Sequence, residues 1–163
     1  MGWEIERKFL VRGDAWREQA GPGVVMRQGY LAGGGRSSVR LRLEGGSAQL
    51  NIKGATVGIQ RLEFEYPIPA VDAACMLEEL CDGPLVEKTR YPVTVGSHVW
   101  EVDCFGGANS GLVVAEVELS HPDEPFEMPA WAGPEVSHLP RYYNVSLVCH
   151  PYRDWSAAER RGE

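Results

Sequence analysis

The stretch EIERK at residues 4–8 decides how the rest of the chain is read: Glu4, Glu6 and Lys8 alternate strictly with Ile5 and Arg7. In an extended backbone side chains two apart project from the same face, so the three charges are neighbours, and Trp3, Ile5 and Phe9 share the other face. One such strand is unremarkable, because a solvated sheet face is usually charged. Recurrence is what would give it meaning.

The period of two does recur. VVMRQGYLA (24–32) sets Met26, Gln28 and Tyr30 on one face, and SVRLRLEGG (38–46) places Arg40 and Arg42 opposite Val39, Leu41 and Leu43. AQLNIKG (48–54) ends in Lys53, and QRLEFEYPI (60–68) aligns Arg61, Glu63 and Glu65 against Leu62, Phe64 and Tyr66. PAVDAACMLEELCDGP (69–84) then switches to helical spacing through Ala74, Met76, Leu77, Leu80 and Cys81, with Gly83-Pro84 as its stop. Alternation resumes with Lys88 and Arg90, then Glu101 and Asp103 across from Trp100 and Val102, then Glu116 and Glu118 across from Val117 and Leu119. Gly33-Gly34-Gly35, Gly45-Gly46, Gly96-Ser97 and Gly106-Gly107 read as turns between strands.

Composition bounds the answer. A chain of 163 residues, 44% hydrophobic and 24% charged, is long enough to bury a core without disulfides and reads as one domain over 1–163. No apolar run approaches the ~18 residues that span a bilayer, and no leader pattern opens the chain, so the expectation is a cytoplasmic protein with no membrane partner. Cys75, Cys81, Cys104 and Cys149 lack metal-site spacing and read as buried reduced thiols, and His98, His121, His138 and His150 form no paired motif. A net charge of -7 argues against nucleic acid as a general partner. A small polyanion would still bind if the bases were concentrated. There are thirteen arginines and only three lysines, Lys8, Lys53 and Lys88, each within a strand pattern, a placement that chance alone could also produce.

About eight strands therefore carry one charged face of mixed sign and one apolar face. The single clear helix cannot cover Trp3, Phe64, Trp100 and Val117 together. The expected fold is mainly β (α+β): an eight-stranded antiparallel barrel closed into a tunnel, charged inside and flanked by a few helices, with room for a second subunit as a homodimer. Its interior would hold seven bases and eight acids, too many ions for a dry core. Both signs in one wet channel suit metal-assisted phosphate chemistry, in which bases neutralise phosphate oxygens and paired carboxylates hold hard cations.

These residues resemble the CYTH family, also called triphosphate tunnel metalloenzymes. The signature E-x-E-x-K is present as Glu4-Ile5-Glu6-Arg7-Lys8, and R-x-R, I-K-G, R-x-E-x-E, K-x-R, E-x-D and E-x-E follow in the family's order. PRYYNVSL around Arg141, Tyr142, Tyr143 and Asn144 is similar to the short bacterial members. The resemblance implies a tunnel that binds a linear triphosphate and requires Mg²⁺ or Mn²⁺. It implies that Asp103, Glu116 and Glu118 hold one metal, that Glu4 and Glu6 serve a second metal and the attacking water, and that Arg40, Arg42, Lys53, Arg61, Lys88 and Arg90 clamp phosphate. Lys8 with Tyr30 is similar to the family's lysine-tyrosine dyad. Ser137-His138-Leu139 departs from the more polar turn expected there, and Ala130-Trp131 ahead of Gly133 reads equally as an amphipathic cap or as core.

The short loops favour hydrolysis of inorganic tripolyphosphate. An adenylate cyclase, a thiamine triphosphatase and a polyphosphate-binding module without turnover are the alternatives. A module that only binds would not need the second acidic pair, Glu4 and Glu6, and a carrier barrel would have an apolar interior.

Overall fold

A computed structural model describes residues 2–33 and 35–163; Gly34, within the first expected turn, lies outside the described residues. The described residues form nine strands: β1 (Gly2–Val11), β2 (Val24–Ala32), β3 (Ser37–Glu44), β4 (Ser47–Gly54), β5 (Gln60–Ile68), β6 (Asp82–Val95), β7 (His98–Phe105), β8 (Val113–Glu118) and β9 (Ala132–Glu135). Their order is β5-β4-β3-β2-β6-β7-β8-β1-β9, and pairing of β5 with β1 closes the first eight into an antiparallel barrel. Short β9 extends the edge of β1 beyond the β5 contact, at Phe9 and Val11. Two hairpins turn on two residues, Gly45-Gly46 between Glu44 and Ser47 and Gly96-Ser97 between Val95 and His98. Each needs a positive φ at its first position, and Gly45 and Gly96 supply +57° and +59°.

The alternation sorts side chains as the sequence implies, with the charges inside. The inward series also changes character along the barrel axis: Arg90 and Lys88 give way to Val86 on β6, Asp103 to Phe105 on β7, and Glu116 to Val114 on β8. Val86, Phe105 and Val114 form a cluster with Tyr142, Leu147 and Trp155. Tyr142 and Leu147 come from a 3-10 turn (Pro140–Tyr142) and helix α2 (Asn144–Cys149), which stop the barrel at that end. A third helix, α3 (Ala157–Arg160), starts in a capping box between Ser156 and Glu159.

On the outer face, Phe9, Trp16, Trp100, Val117 and Trp131 pack as a second cluster over β1, β6, β7 and β8. Trp131 meets Trp100 edge-on at 5.4 Å, so it belongs to the core and does not cap a helix. Helix α1 (Ala70–Glu79) lies against β3 and β4. Its buried residues are Ala73 and Leu77, whereas Leu80 is exposed and lies past the helix end, which differs from the expected face. Gly83-Pro84 does not sit in a loop: both residues are already in β6, at its start, where the β2–β6 register shifts and a missing N–H is tolerated. The cysteines are unpaired but not buried; Cys75 and Cys149 are exposed. Trp3, Leu62 and Tyr66 are left open on the outer face of β1 and β5.

Trp100 is fully buried and Trp3 is 59% exposed. Trp100→Ala should cost about 3–5 kcal/mol in denaturant unfolding, and Trp3→Ala under ~1 kcal/mol. Equal losses would mean that the open face is packed in solution.

Candidate active site

Closure turns every second residue of eight strands onto a cavity of about 970 Å³. Glu4, Glu6 and Lys8 face inward from β1, Tyr30 from β2, Arg40 and Arg42 from β3, Lys53 from β4 and Arg61 from β5. Lys88 and Arg90 come from β6, Asp103 from β7, and Glu116 and Glu118 from β8. Glu4, Glu6, Arg40, Arg42, Lys53, Arg61, Arg90, Glu116 and Glu118 line the cavity itself, whereas Tyr30, Lys88 and Asp103 are buried in its wall and Lys8 lines a small adjoining pocket with Ser137 and Tyr143.

Most of them meet as opposite charges. Glu4 accepts from Lys53 Nζ at 2.8 Å and Arg61 Nε at 2.5 Å. Asp103, fully buried, accepts from Lys88 Nζ at 2.5 Å and from Arg90 Nε and Nη2, each at 2.7 Å. Arg90 also reaches Glu116 at 2.8 Å and pairs with Glu101. Lys8 Nζ lies 2.8 Å from Glu116 and 3.8 Å from Glu6. Arg42 pairs with Glu44 and Glu65, each at 3.1 Å. Such pairing offsets part of the cost of taking these ions out of water.

The pairing sets the protonation states. Burial opposes the charge on Glu4, but Lys53 and Arg61 outweigh it and hold the carboxyl down at about 2. Burial likewise opposes Lys8, which Glu116 and Glu6 nevertheless keep above the usual lysine range. Burial and the charge of Arg90 push Lys88 down to about 8.

Glu6 and Glu118 behave differently. They are direct cross-strand partners on β1 and β8, with like charges facing each other. Burial, then Glu116, raises the pKa of Glu6, and burial, then Glu4 and Glu6, raises that of Glu118. Glu6 also lies 3.5 Å from Arg61, and among the described residues no group of three or more acids, histidines or cysteines is already gathered in metal-holding geometry. Opposed oxygen donors that repel one another fit a hard divalent cation, so the donor set agrees with the metal that the resemblance implies.

Tyr30 is buried opposite Arg40, and burial raises its phenol pKa. Among the described residues no hydrogen bond joins Tyr30 to Lys8. Lys8 instead has the Tyr143 ring 5.8 Å from Nζ, and its backbone N–H donates to Ser137 Oγ at 2.8 Å. Tyr143 in turn donates its hydroxyl to the Ser137 carbonyl at 3.1 Å. Ser137 thus ties the C-terminal segment to Lys8, despite the departure in its turn.

Several lumen residues escaped the sequence reading. Glu44 shares the face of Arg40 and Arg42, and Asn51 precedes Lys53 by two, so alternation could have found both. Asn144 arrives from outside the strand pattern, as do Ser137, in the small pocket beside Lys8, and Glu124, which meets His98 at 3.1 Å at the open end. No periodicity signals residues that a folded loop delivers.

The fold and the lumen define a class, a closed antiparallel barrel with an acid-and-base interior, and comparison with known proteins places the chain within it. The CYTH domain model matches residues 3–146, so the chain belongs to the CYTH family. An inorganic triphosphatase of Acetivibrio thermocellus is 46% identical over 155 residues, covering 95% of this chain and 99% of that protein. The crystal structure of the inorganic triphosphatase NE1496 superposes with a TM-score of 0.64 at 33% identity, covering 91% of this chain and 95% of that one. A Pyrococcus horikoshii protein at 16% identity shares the fold, with a TM-score of 0.56 over 74% of this chain and 81% of its own.

Removing one charge from the Glu6–Glu118 pair relieves repulsion in the ligand-free protein. If the pair holds metal, added Mn²⁺ should stabilise the native chain, and Glu118→Gln should raise the ligand-free melting temperature by on the order of 1–3 °C and abolish that stabilisation. Thermal unfolding with and without Mn²⁺ reads both. A variant that loses stability and still responds to Mn²⁺ would remove this pair from the metal site.

Proposed function

We propose that the chain is a divalent-metal-dependent hydrolase that cleaves the terminal phosphate of inorganic tripolyphosphate. One observation carries the proposal: a single closed lumen holds an opposed acid pair, Glu6 and Glu118, together with a buried arginine, Arg40, that has no carboxylate within 4 Å among the described residues. The first suits a cation and the second its phosphate. The triphosphatase relatives support the same substrate class.

In this reading Arg40, Arg42, Lys53, Arg61, Lys88 and Arg90 bind phosphate oxygens, and Glu4, Glu6, Asp103, Glu116 and Glu118 hold Mg²⁺ or Mn²⁺. When bound, the metal screens phosphate charge and makes a coordinated water easier to deprotonate. Lys8, held by Glu116 and flanked by Tyr143, stays cationic and faces the reacting phosphoryl group, with Tyr30 setting the position of the phosphate through Arg40. Water attacks the terminal phosphorus, the bridging P–O bond breaks, and orthophosphate and pyrophosphate leave. We also assign the protein to the cytoplasm, where its four free thiols would stay reduced. Its open face at Trp3, Leu62 and Tyr66 suits a homodimer. The whole chain acts as one catalytic unit that uses neither nucleic acid nor a membrane.

A phosphate-release screen across tripolyphosphate, ATP, thiamine triphosphate and pyrophosphate tests the reading. Tripolyphosphate should be the best substrate; activity should vanish in EDTA and return with Mg²⁺ or Mn²⁺. Pyrophosphate and a cyclic nucleotide from ATP, or full turnover in EDTA, would overturn it.

Lys8→Arg keeps the charge but replaces a compact ammonium with a planar fork between Glu116 and Tyr143. It should lower kcat on the order of a hundredfold, with a smaller loss for Tyr30→Phe and a double variant less impaired than the product of the two. If the losses in kcat simply multiply, Lys8 and Tyr30 act independently and there is no dyad.

A further inference from the structure

Gln28 is completely buried, yet neither its Oε1 nor its Nε2 has a hydrogen-bond partner among the described residues. An amide in that position bears the full penalty of desolvation with nothing to offset it, which is uncommon enough in a folded protein to need a reason. Its direction is fixed by its neighbours. A Cβ on Gly29 would meet Cys81 Sγ at 2.6 Å, so Gln28 faces the other way, into the barrel wall between Met26 and Tyr30. It sits at the level where the interior turns apolar, with Val86 opposite on β6 and Arg42 opposite on β3.

The wall beside it has the same character. Gln28 is the cross-strand partner of Arg42, as Tyr30 is of Arg40, and Arg40 in turn pairs in register with Asn51. Asn51 is also completely buried; its Nδ2 donates to Glu63 and Glu65 while its Oδ1 has no partner. Arg40 Nε is likewise buried and unpartnered. Elsewhere in the lumen bases are matched to carboxylates. Along β2, β3 and β4 the ligand-free protein instead keeps donors and acceptors waiting, beside two arginines.

We propose that Gln28 is a substrate-binding residue, its Nε2 donating to a non-bridging oxygen of the phosphoryl group that Arg40 and Arg42 hold. The proposal rests on the triphosphate reading of the site and adds to it a neutral, directional contact that the charged motifs do not include. A carboxamide here fixes the orientation of the phosphoryl group without adding charge to a crowded lumen. Its Oε1 is left to accept from water carried in with the anion.

Gln28→Leu and Gln28→Met keep roughly the volume and remove the hydrogen bond. With no partner to lose, the ligand-free variants should melt at or above the temperature of the native chain. Protection by inorganic tripolyphosphate should weaken, and kcat/KM for it should fall about ten- to hundredfold, the range of one hydrogen bond to a charged group. A structural glutamine gives the reverse, lower melting temperatures with unchanged tripolyphosphate affinity and kcat/KM, and that result would overturn the proposal. A second measurement needs no variant: the Gln28 side-chain amide resonance of the native protein should shift on saturation with tripolyphosphate, and a resonance that stays put overturns the proposal even if both variants misfold. A native protein that binds tripolyphosphate but hydrolyses no triphosphate would sink the hydrolase reading, with the resonance still deciding whether Gln28 touches the anion.

Discussion

Hydrogen bonding between the first half of β1 and β5, with Trp3 opposite Leu62 and Glu4 opposite Arg61, turns an eight-stranded sheet into a tube. On an open sheet the face carrying Glu4, Arg61, Arg42 and Glu116 would be solvated and each ion could be left to water. Inside a tube the same face is enclosed, and every charge must find an opposite charge, a hydrogen-bond partner or a ligand. The pairs Glu4–Lys53 and Asp103–Lys88, and the span of Arg90 across Asp103 and Glu116, are consequences of that enclosure. The β1–β8 register sets Glu6 and Glu118 face to face, and enclosure removes the water that would otherwise separate their charges.

Enclosure also gives the lumen a direction. Because the inward series turns apolar at Val86, Phe105 and Val114, Tyr142 and Leu147 can seat there by ordinary hydrophobic packing. The charged part is then reached from the end bearing Glu44, His98, Glu101 and Glu124. Under the proposed function, a triphosphate arriving with its cations exchanges partners with the protein: bases release carboxylates and take phosphate oxygens, while the freed carboxylates take metal. Ion pairs are replaced with little net loss, so the internal salt bridges of the ligand-free chain do not block a site of this kind.

Much of this was legible because strand periodicity is rigid. Once EIERK was read as a strand, the inward set followed by counting in twos, and Glu4, Arg40, Arg61 and Glu118 line one cavity as that count implies. Helical periodicity tolerates more error: α1 buries Ala73 where Ala74 was expected, since a short helix resting on β3 and β4 can rotate by a residue without changing its composition. Gly83-Pro84 reads as a helix stop by local rules and also forms the start of a strand, where a shift in β2–β6 register accommodates it. Ser137 and Tyr143 were unreadable as neighbours of Lys8, 129 residues away for Ser137, because the topology of β9 and α2 alone brings them there. Gln28 was visible on the face of Tyr30, but its lack of a partner is a property of packing that no sequence displays.

The three lysines make the same point about environment. Lys8, Lys53 and Lys88 are all buried in the lumen, on strands that also carry or face arginines. Arginine would suffice if only fixed positive charge were needed, since its guanidinium holds its proton under almost any condition. Lysine titrates, and the three sites treat it differently. Burial disfavours the ammonium in each, but Glu116 and Glu6 keep Lys8 charged, whereas nearby Arg40 adds to the lowering at Lys53 and nearby Arg90 does so at Lys88. An added negative charge in the lumen favours the ammonium form at Lys53 and Lys88, where burial and a neighbouring arginine oppose it, while Lys8 is already held by its two carboxylates. A pattern legible in the sequence only as scarcity becomes, in the folded chain, a division between two lysines whose charge an arginine opposes and one whose charge two carboxylates support.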